Sequence, residues 1–203
     1  YYGPSALAAA EDGEIYFDAA GRIYQADADG VLLHSSDFAE LGIEGPVMQL
    51  STVDDDLLLL DSGLNDVLRC DTSLWRCRPL IDEYAKPPLN ILSYALDTAD
   101  GRLYLATRQG HEIKVYDLEG RHLYKLKVPE GLKYANHIQW LGQGRLLVTD
   151  TNQHRVLELE DQGDGEVAVV MQMDANTPLG KKGRNWPIVA MRDAAGGAWM
   201  INS

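Results

Sequence analysis

The chain repeats itself about every 44 residues. One stretch reads Gly101-Arg102-Leu103-Tyr104-Leu105-Ala106-Thr107, then Gln109-Gly110-His111, then Ile113-Lys114-Val115-Tyr116-Asp117. The next reads Gly144-Arg145-Leu146-Leu147-Val148-Thr149-Asp150, then Asn152-Gln153-His154, then Val156-Leu157-Glu158-Leu159-Glu160. A β-branched residue recurs at Ile23, Val67, Ile113 and Val156, and an acidic residue closing the same segment recurs at Asp27, Asp71, Asp117 and Glu160. Both series are separated by 44, 46 and 43 residues. Self-similarity at this period signals a stacked-repeat architecture. Within each unit, short apolar alternations such as Leu103/Leu105 and Ile113/Val115 are bounded by Asp-Gly, Glu-Gly or Gln-Gly pairs that suit tight turns between strands. The recurring glycines interrupt any helical pattern. Four short strands in a unit of this size make one blade of a β-propeller, so the expected fold is all-β.

The blades fall at about 4–44, 45–86, 87–131 and 132–184 within a single domain, followed by a partial fifth over 186–203. Four and a half blades predict part of a five- or six-bladed ring. The unfinished blade leaves an edge open to self-association or to missing sequence. From Leu146 to the matching Trp199 is 53 residues, against 43 from Leu103 to Leu146, and the extra length falls in a basic, glycine-containing loop around Lys181, Lys182 and Arg184. No apolar run approaches the roughly 20 residues needed to cross a bilayer. The chain begins at Tyr1 with no leader of its own, and the expectation is that any leader or membrane anchor has been lost.

The 203 residues are 45% hydrophobic and 24% charged, enough for a packed core. The net charge of −13 argues against a nucleic-acid partner, which binds chiefly through cations. Residues 1–100 carry 5 basic and 19 acidic side chains, whereas 101–203 carry 13 and 12. The acidic half is either a solvated surface or a docking patch for a basic partner or for cations. Cys70 and Cys77 flank the turn-like Asp71-Thr72-Ser73, a spacing that leaves a hairpin disulfide and two free thiols both open.

The segment Thr149-Asp150-Thr151-Asn152-Gln153-His154-Arg155-Val156-Leu157 resembles the signature of NHL-repeat propellers. His111 fills the place of His154 one unit earlier. The second blade keeps Asp61-Ser62-Gly63 and Asn65 without a histidine, and the first has lost the motif. The resemblance implies a bacterial scaffold or sensor module that binds a protein or a small ligand. It also implies a periplasmic or extracellular location, with or without a membrane anchor. A minority of similar propellers are calcium- or zinc-dependent lactonases or lyases with a metal at the central channel, and that is the alternative.

The motif histidines His111 and His154 read as structural. His137 is expected at the start of an innermost strand, where similar lyases hold zinc, with Ser5, Val47, Asn90 and Pro187 or Ile188 in the equivalent places. A catalytic zinc needs three protein ligands, and one histidine does not supply them. Under the metal-dependent alternative, Asn90, Asn136, His137 and Asp150 are the ligand candidates: the oxygens of Asn90, Asn136 and Asp150 suit calcium, a hard cation that prefers several oxygens, and His137 suits zinc. There is no Gly-x-Ser-x-Gly elbow, phosphate loop or Cys-His pair, so no catalytic residue is assigned and no cofactor is expected outside that alternative. For binding, Trp75 in a turn and Trp186 beside the basic loop are the aromatic candidates, with Lys181, Lys182 and Arg184.

Overall fold

A computed structural model of the chain describes residues 4–73, 75–81, 89–175, 186–193 and 196–202. Its contacts divide the chain into two compact units, residues 1–88 and 89–203.

The first unit holds two four-stranded antiparallel sheets, each a meander in chain order. One contains β1 (Leu7–Ala9), β2 (Ile15–Ala19), β3 (Arg22–Ala26) and β4 (Leu32–Asp37). The other contains β5 (Val47–Val53), β6 (Asp56–Asp61), β7 (Asp66–Asp71) and β8 (Arg76–Pro79). A single helical turn, α1 (Phe38–Leu41), joins them and ends at Gly42, whose φ of 72° is the left-handed conformation that closes a helix at low cost. The sequence pattern gave no sign of α1, because four residues are too few to show a helical period. Ile23, Leu57, Leu59 and Leu68 form the centre of this unit's core, and Trp75 packs on its margin.

The second unit holds β9 (Ile91–Asp97), β10 (Arg102–Thr107), β11 (Glu112–Asp117) and β12 (His122–Lys125) in one sheet. A second sheet contains β13 (Ala135–Gly142), β14 (Arg145–Asp150), β15 (Arg155–Asp161) and β16 (Val167–Asp174). A two-stranded sheet follows, of β17 (Pro187–Arg192) and β18 (Ala198–Asn202). Its main core lies between the two larger sheets, with Tyr104, Ile113, Val115, Ile138, Val148 and Leu157 buried together. A smaller cluster of Leu147, Val156 and Ala190 packs the fourth sheet against β17. The four β-branched repeat residues, Ile23, Val67, Ile113 and Val156, are all buried, which is why the period is so regular: each fills the same place in its sheet. No helix among the described residues is long and apolar enough to span a membrane.

The acidic repeat residues need one adjustment. Glu160 pairs with Arg145 as Asp117 pairs with Arg102. The turn-capping carboxylate of the fourth sheet is nevertheless Asp161, whose Oδ1 accepts the Gly163 N–H at 2.9 Å, as Asp117 accepts those of Glu119 and Arg121. A bulge at Glu158/Leu159 accompanies this shift of one residue.

Candidate functional site

At or next to the end of the second strand of each four-stranded sheet is a small polar residue that binds main chain: Asp18, Asp61, Thr107 and Asp150, all buried. Asp18 accepts the Ser5 and Ala6 N–H groups and the Ser5 hydroxyl. Asp61 accepts the N–H groups of Glu44 at 2.7 Å, Gly45 at 2.9 Å and Gly63 at 2.8 Å. Gly45 and Gly63 are back to back, and a Cβ on either would lie within 2.6 Å of the other's nitrogen. Only glycine at both positions lets the two amides share one carboxylate. The first sheet, which the motif comparison had left without a signature, therefore keeps its aspartate at Asp18.

Asp150 is the most heavily engaged of the series. Its Oδ1 accepts the N–H groups of Lys133 and Tyr134, each at 3.0 Å, and its Oδ2 accepts Gln153 Nε2 at 2.7 Å and Arg155 Nε at 3.1 Å. Arg155 is itself buried and reaches on to Glu130 and to the Gly131 carbonyl. The signature aspartate and arginine thus tie the start of β13 to the turn after β14.

The signature histidine has a backbone role. His154 ends a 3-10 turn (Thr151–Gln153) at φ 54°, His111 sits at φ 52°, and Asn65 occupies the same slot in the second sheet at φ 53°. Asn and His are enriched in this left-handed region, which explains why the second blade does without a histidine. The His154 ring lies edge-on to Trp186 at 4.8 Å.

His137 and Asn136 are placed by a bulge that recurs in the inner strands. The pairs Val47↔Asp61 and Gln49↔Leu60 skip Met48; the corresponding pairs skip Leu92, Asn136 and Ile188. The residues equivalent to His137 are therefore Gln49, Ser93 and Val189, not the Ser5, Val47, Asn90 and Pro187 or Ile188 expected from sequence. A set of side chains from the fourth sheet holds the backbone of β17. Thr151 Oγ1 donates to Pro187 O at 2.6 Å, Asn136 Nδ2 to Ile188 O at 3.1 Å, and the Ala190 N–H to Thr149 Oγ1 at 3.0 Å. Gln139 exchanges two hydrogen bonds with the Arg192 main chain. The His137 ring bonds the Ala190 backbone, its Nδ1 is buried with no partner among the described residues, and burial lowers its pKa, so the imidazole is neutral near pH 7. Asn90 lies just before β9, where its carbonyl accepts the Arg108 N–H.

Among the described residues, no three His, Cys, Asp or Glu side chains form a group that could hold a metal ion. In the first unit, Asp12, Glu14, Asp54, Asp55 and Asp56 border a small cleft beside Tyr16. That unit carries 5 basic and 17 acidic side chains.

Of the binding candidates, Trp75 is partly buried against its core and stacks on His34 at 4.2 Å. Trp186 is 37% exposed. Lys181, Lys182 and Arg184 lie outside the described residues. Cys70 and Cys77 pair directly across β7 and β8 and are joined in a disulfide.

Sequence reasoning did not find the buried centre at Asp161. Its Oδ2 accepts the hydroxyls of Tyr104 at 3.0 Å and Tyr124 at 2.7 Å, and Arg102 lies 3.8 Å away. Burial first, and then the Asp161 carboxylate, push both phenols far above their usual range, so both remain donors. Tyr104 also stacks on Trp140 at 5.5 Å.

Four-stranded meander sheets with this repeat define the chain as having the β-propeller fold. No protein-family model matches the sequence, and no curated protein matches it. Solved structures do. A streptogramin B lyase superposes with a TM-score of 0.71 at 16% identity, over 98% of this chain and 62% of that one. The Cps50 (Swd1) β-propeller domain of Myceliophthora thermophila gives 0.73 at 12%, over 98% and 66%. A chain of a nidogen/laminin complex gives 0.68 at 16%, over 99% and 72%. The chain thus spans less than two thirds of the length of the lyase and of the Cps50 domain.

Proposed function

We propose that the chain is a non-enzymatic propeller of NHL type, acting outside the cytoplasm as a protein-interaction or ligand-sensing module. The observation that carries this reading is the engagement of the polar residues best suited to hold a metal. Asp150 accepts four hydrogen bonds, Asn136 donates to Ile188, and His137 bonds Ala190. Each does the work of a brace, leaving rigid turns and loops as the surface that recognises a partner. The left-handed slot shared by Asn65, His111 and His154 supports the NHL comparison. The Cys70–Cys77 disulfide supports an oxidising compartment. Likeness to a chain of the nidogen/laminin complex supports an interaction role, and likeness to the lyase is the reason to test for a metal.

The test is the metal content of the protein after exhaustive dialysis and again after saturation with calcium or zinc. The expected result is well below one ion per chain in each case. One tightly held ion, lost on Asn136→Ala or His137→Ala, would instead establish the metal-dependent lactonase or lyase.

A further inference from the structure

A strand with a neighbour on one side only offers its outward N–H and C=O groups as a template for another chain. The last strand of each four-stranded sheet, β4, β8, β12 and β16, lies at such an edge. Two of them carry residues that discourage pairing: β8 is four residues long and holds Arg76, Arg78 and Pro79, and β12 is four residues long and ends in Lys125. β4 runs for six residues with no Lys, Arg or Pro. Its lead-in residue Val31 and its first two residues, Leu32 and Leu33, are 58%, 58% and 51% exposed. The pairing with β3 skips Leu33, so the bulge of this edge carries an exposed leucine and no charge. His34 follows, with the Trp75 ring stacked on it. Consecutive exposed aliphatic residues beside an aromatic ring mark a contact surface, whereas single ones scattered over a surface do not.

The surroundings define the partner. Asp29 in the turn before β4 and Glu40 in α1 after it are exposed, and Asp37 at the end of the strand keeps half of its side chain in solvent while it meets Arg22. The whole first unit has the same sign, with 5 basic and 17 acidic side chains. β16 also lacks Lys, Arg and Pro, but its Met171 and Met173 pack against the core beside β17, and residues 89–203 are nearly balanced at 13 basic and 14 acidic. At β4, apolar side chains are bracketed by negative charge at both ends. A chain that fills this edge needs main-chain donors and acceptors, aliphatic side chains to meet Leu32 and Leu33, and cations beyond them. We propose that the open edge of β4 is a docking site for an extended peptide segment with an aliphatic centre flanked by lysine or arginine, which joins the sheet as an added strand. The inference rests on the interaction-module reading above and gives the partner a chemistry.

The test is calorimetric titration of the whole chain with the end-blocked nonapeptide Lys-Lys-Val-Thr-Val-Thr-Val-Lys-Lys. It is expected to bind with a Kd of about 0.1 mM or tighter. Leu33→Lys, which gives β4 the kind of charge that β8 and β12 carry, is expected to weaken binding at least about ten-fold. Replacing both threonines of the peptide by proline keeps its charge but removes main-chain donors, and is expected to weaken binding as much. Amide NMR shifts on the unmodified protein provide a readout independent of the variant's folding, and are expected at residues 31–37 and at Trp75. No binding at about 1 mM, or an unchanged affinity with the Leu33 variant or the proline peptide, would overturn the site. Equal affinity for the same peptide flanked by glutamate would overturn the partner's charge. A concentration-dependent dimer of the protein alone, with shifts at the same residues, would make the occupant a second copy and overturn the peptide class. Shifts confined to β16 or to another element would overturn this edge and leave the interaction-module reading standing.

Discussion

Asp150→Ala is expected to lower stability by about 3–5 kcal/mol, because it takes from the buried Arg155 its one buried carboxylate partner and leaves only the exposed Glu130. The same change strips an acceptor from the N–H groups of Lys133 and Tyr134 and from Gln153, so the turn after β14 and the start of β13 lose their common anchor. For a chain of this length the fall in Tm is roughly 10 °C. Tryptophan fluorescence reports it well, since Trp140, Trp186 and Trp199 belong to the second unit and only Trp75 to the first. The loss should appear in protein stripped of metal by chelator, and to the same extent when calcium is added. If Asp150 were chiefly a metal ligand, the metal-free protein would tolerate the change and the calcium-loaded protein would not.

Asp161→Ala is the second large effect, expected at about 2–4 kcal/mol. The carboxylate is wholly enclosed. Removing it leaves the buried Tyr104 hydroxyl without its carboxylate acceptor, frees Tyr124, and deprives Arg102 of its nearer partner. The bonds run from β10 and β12 to β15, so the loss loosens one sheet from the next within the second unit. Tyr104→Phe removes one donor while keeping the stack on Trp140, and is expected to cost about 1–2 kcal/mol. In the double variant the two costs should fall short of additive by about 1 kcal/mol, since the same hydrogen bond is lost in both. Chemical denaturation of the four proteins checks this, and strict additivity would show that the Tyr104 bond contributes nothing.

The period was legible because burial repeats with it: Ile23, Val67, Ile113 and Val156 each enter a core. The hairpins followed from glycine and carboxylate turns at the same spacing. What pattern alone could not supply was register. A single bulged residue at Asn136 turns His137 from an apparent channel ligand into a clamp on β17. The aspartate series Asp18, Asp61 and Asp150 was present in the sequence, but Thr107 breaks it in the third blade and hides the common role. Thr107 still serves the turn, donating from its hydroxyl toward the carbonyls of Gln109 and Glu112. The Asp161 centre depends on side chains from different sheets, and no local pattern announces it.

Native-state hydrogen exchange on the unmodified protein goes most directly to the claim that these carboxylates serve the main chain. The amides of Glu44, Gly45, Lys133 and Tyr134 lie outside the strands and would ordinarily exchange quickly. Because each donates to buried Asp61 or Asp150, the expected result is protection comparable to that of the neighbouring strands β6 and β14. Exchange at the rate of open loops would contradict it, leaving both carboxylates available for a ligand or a metal.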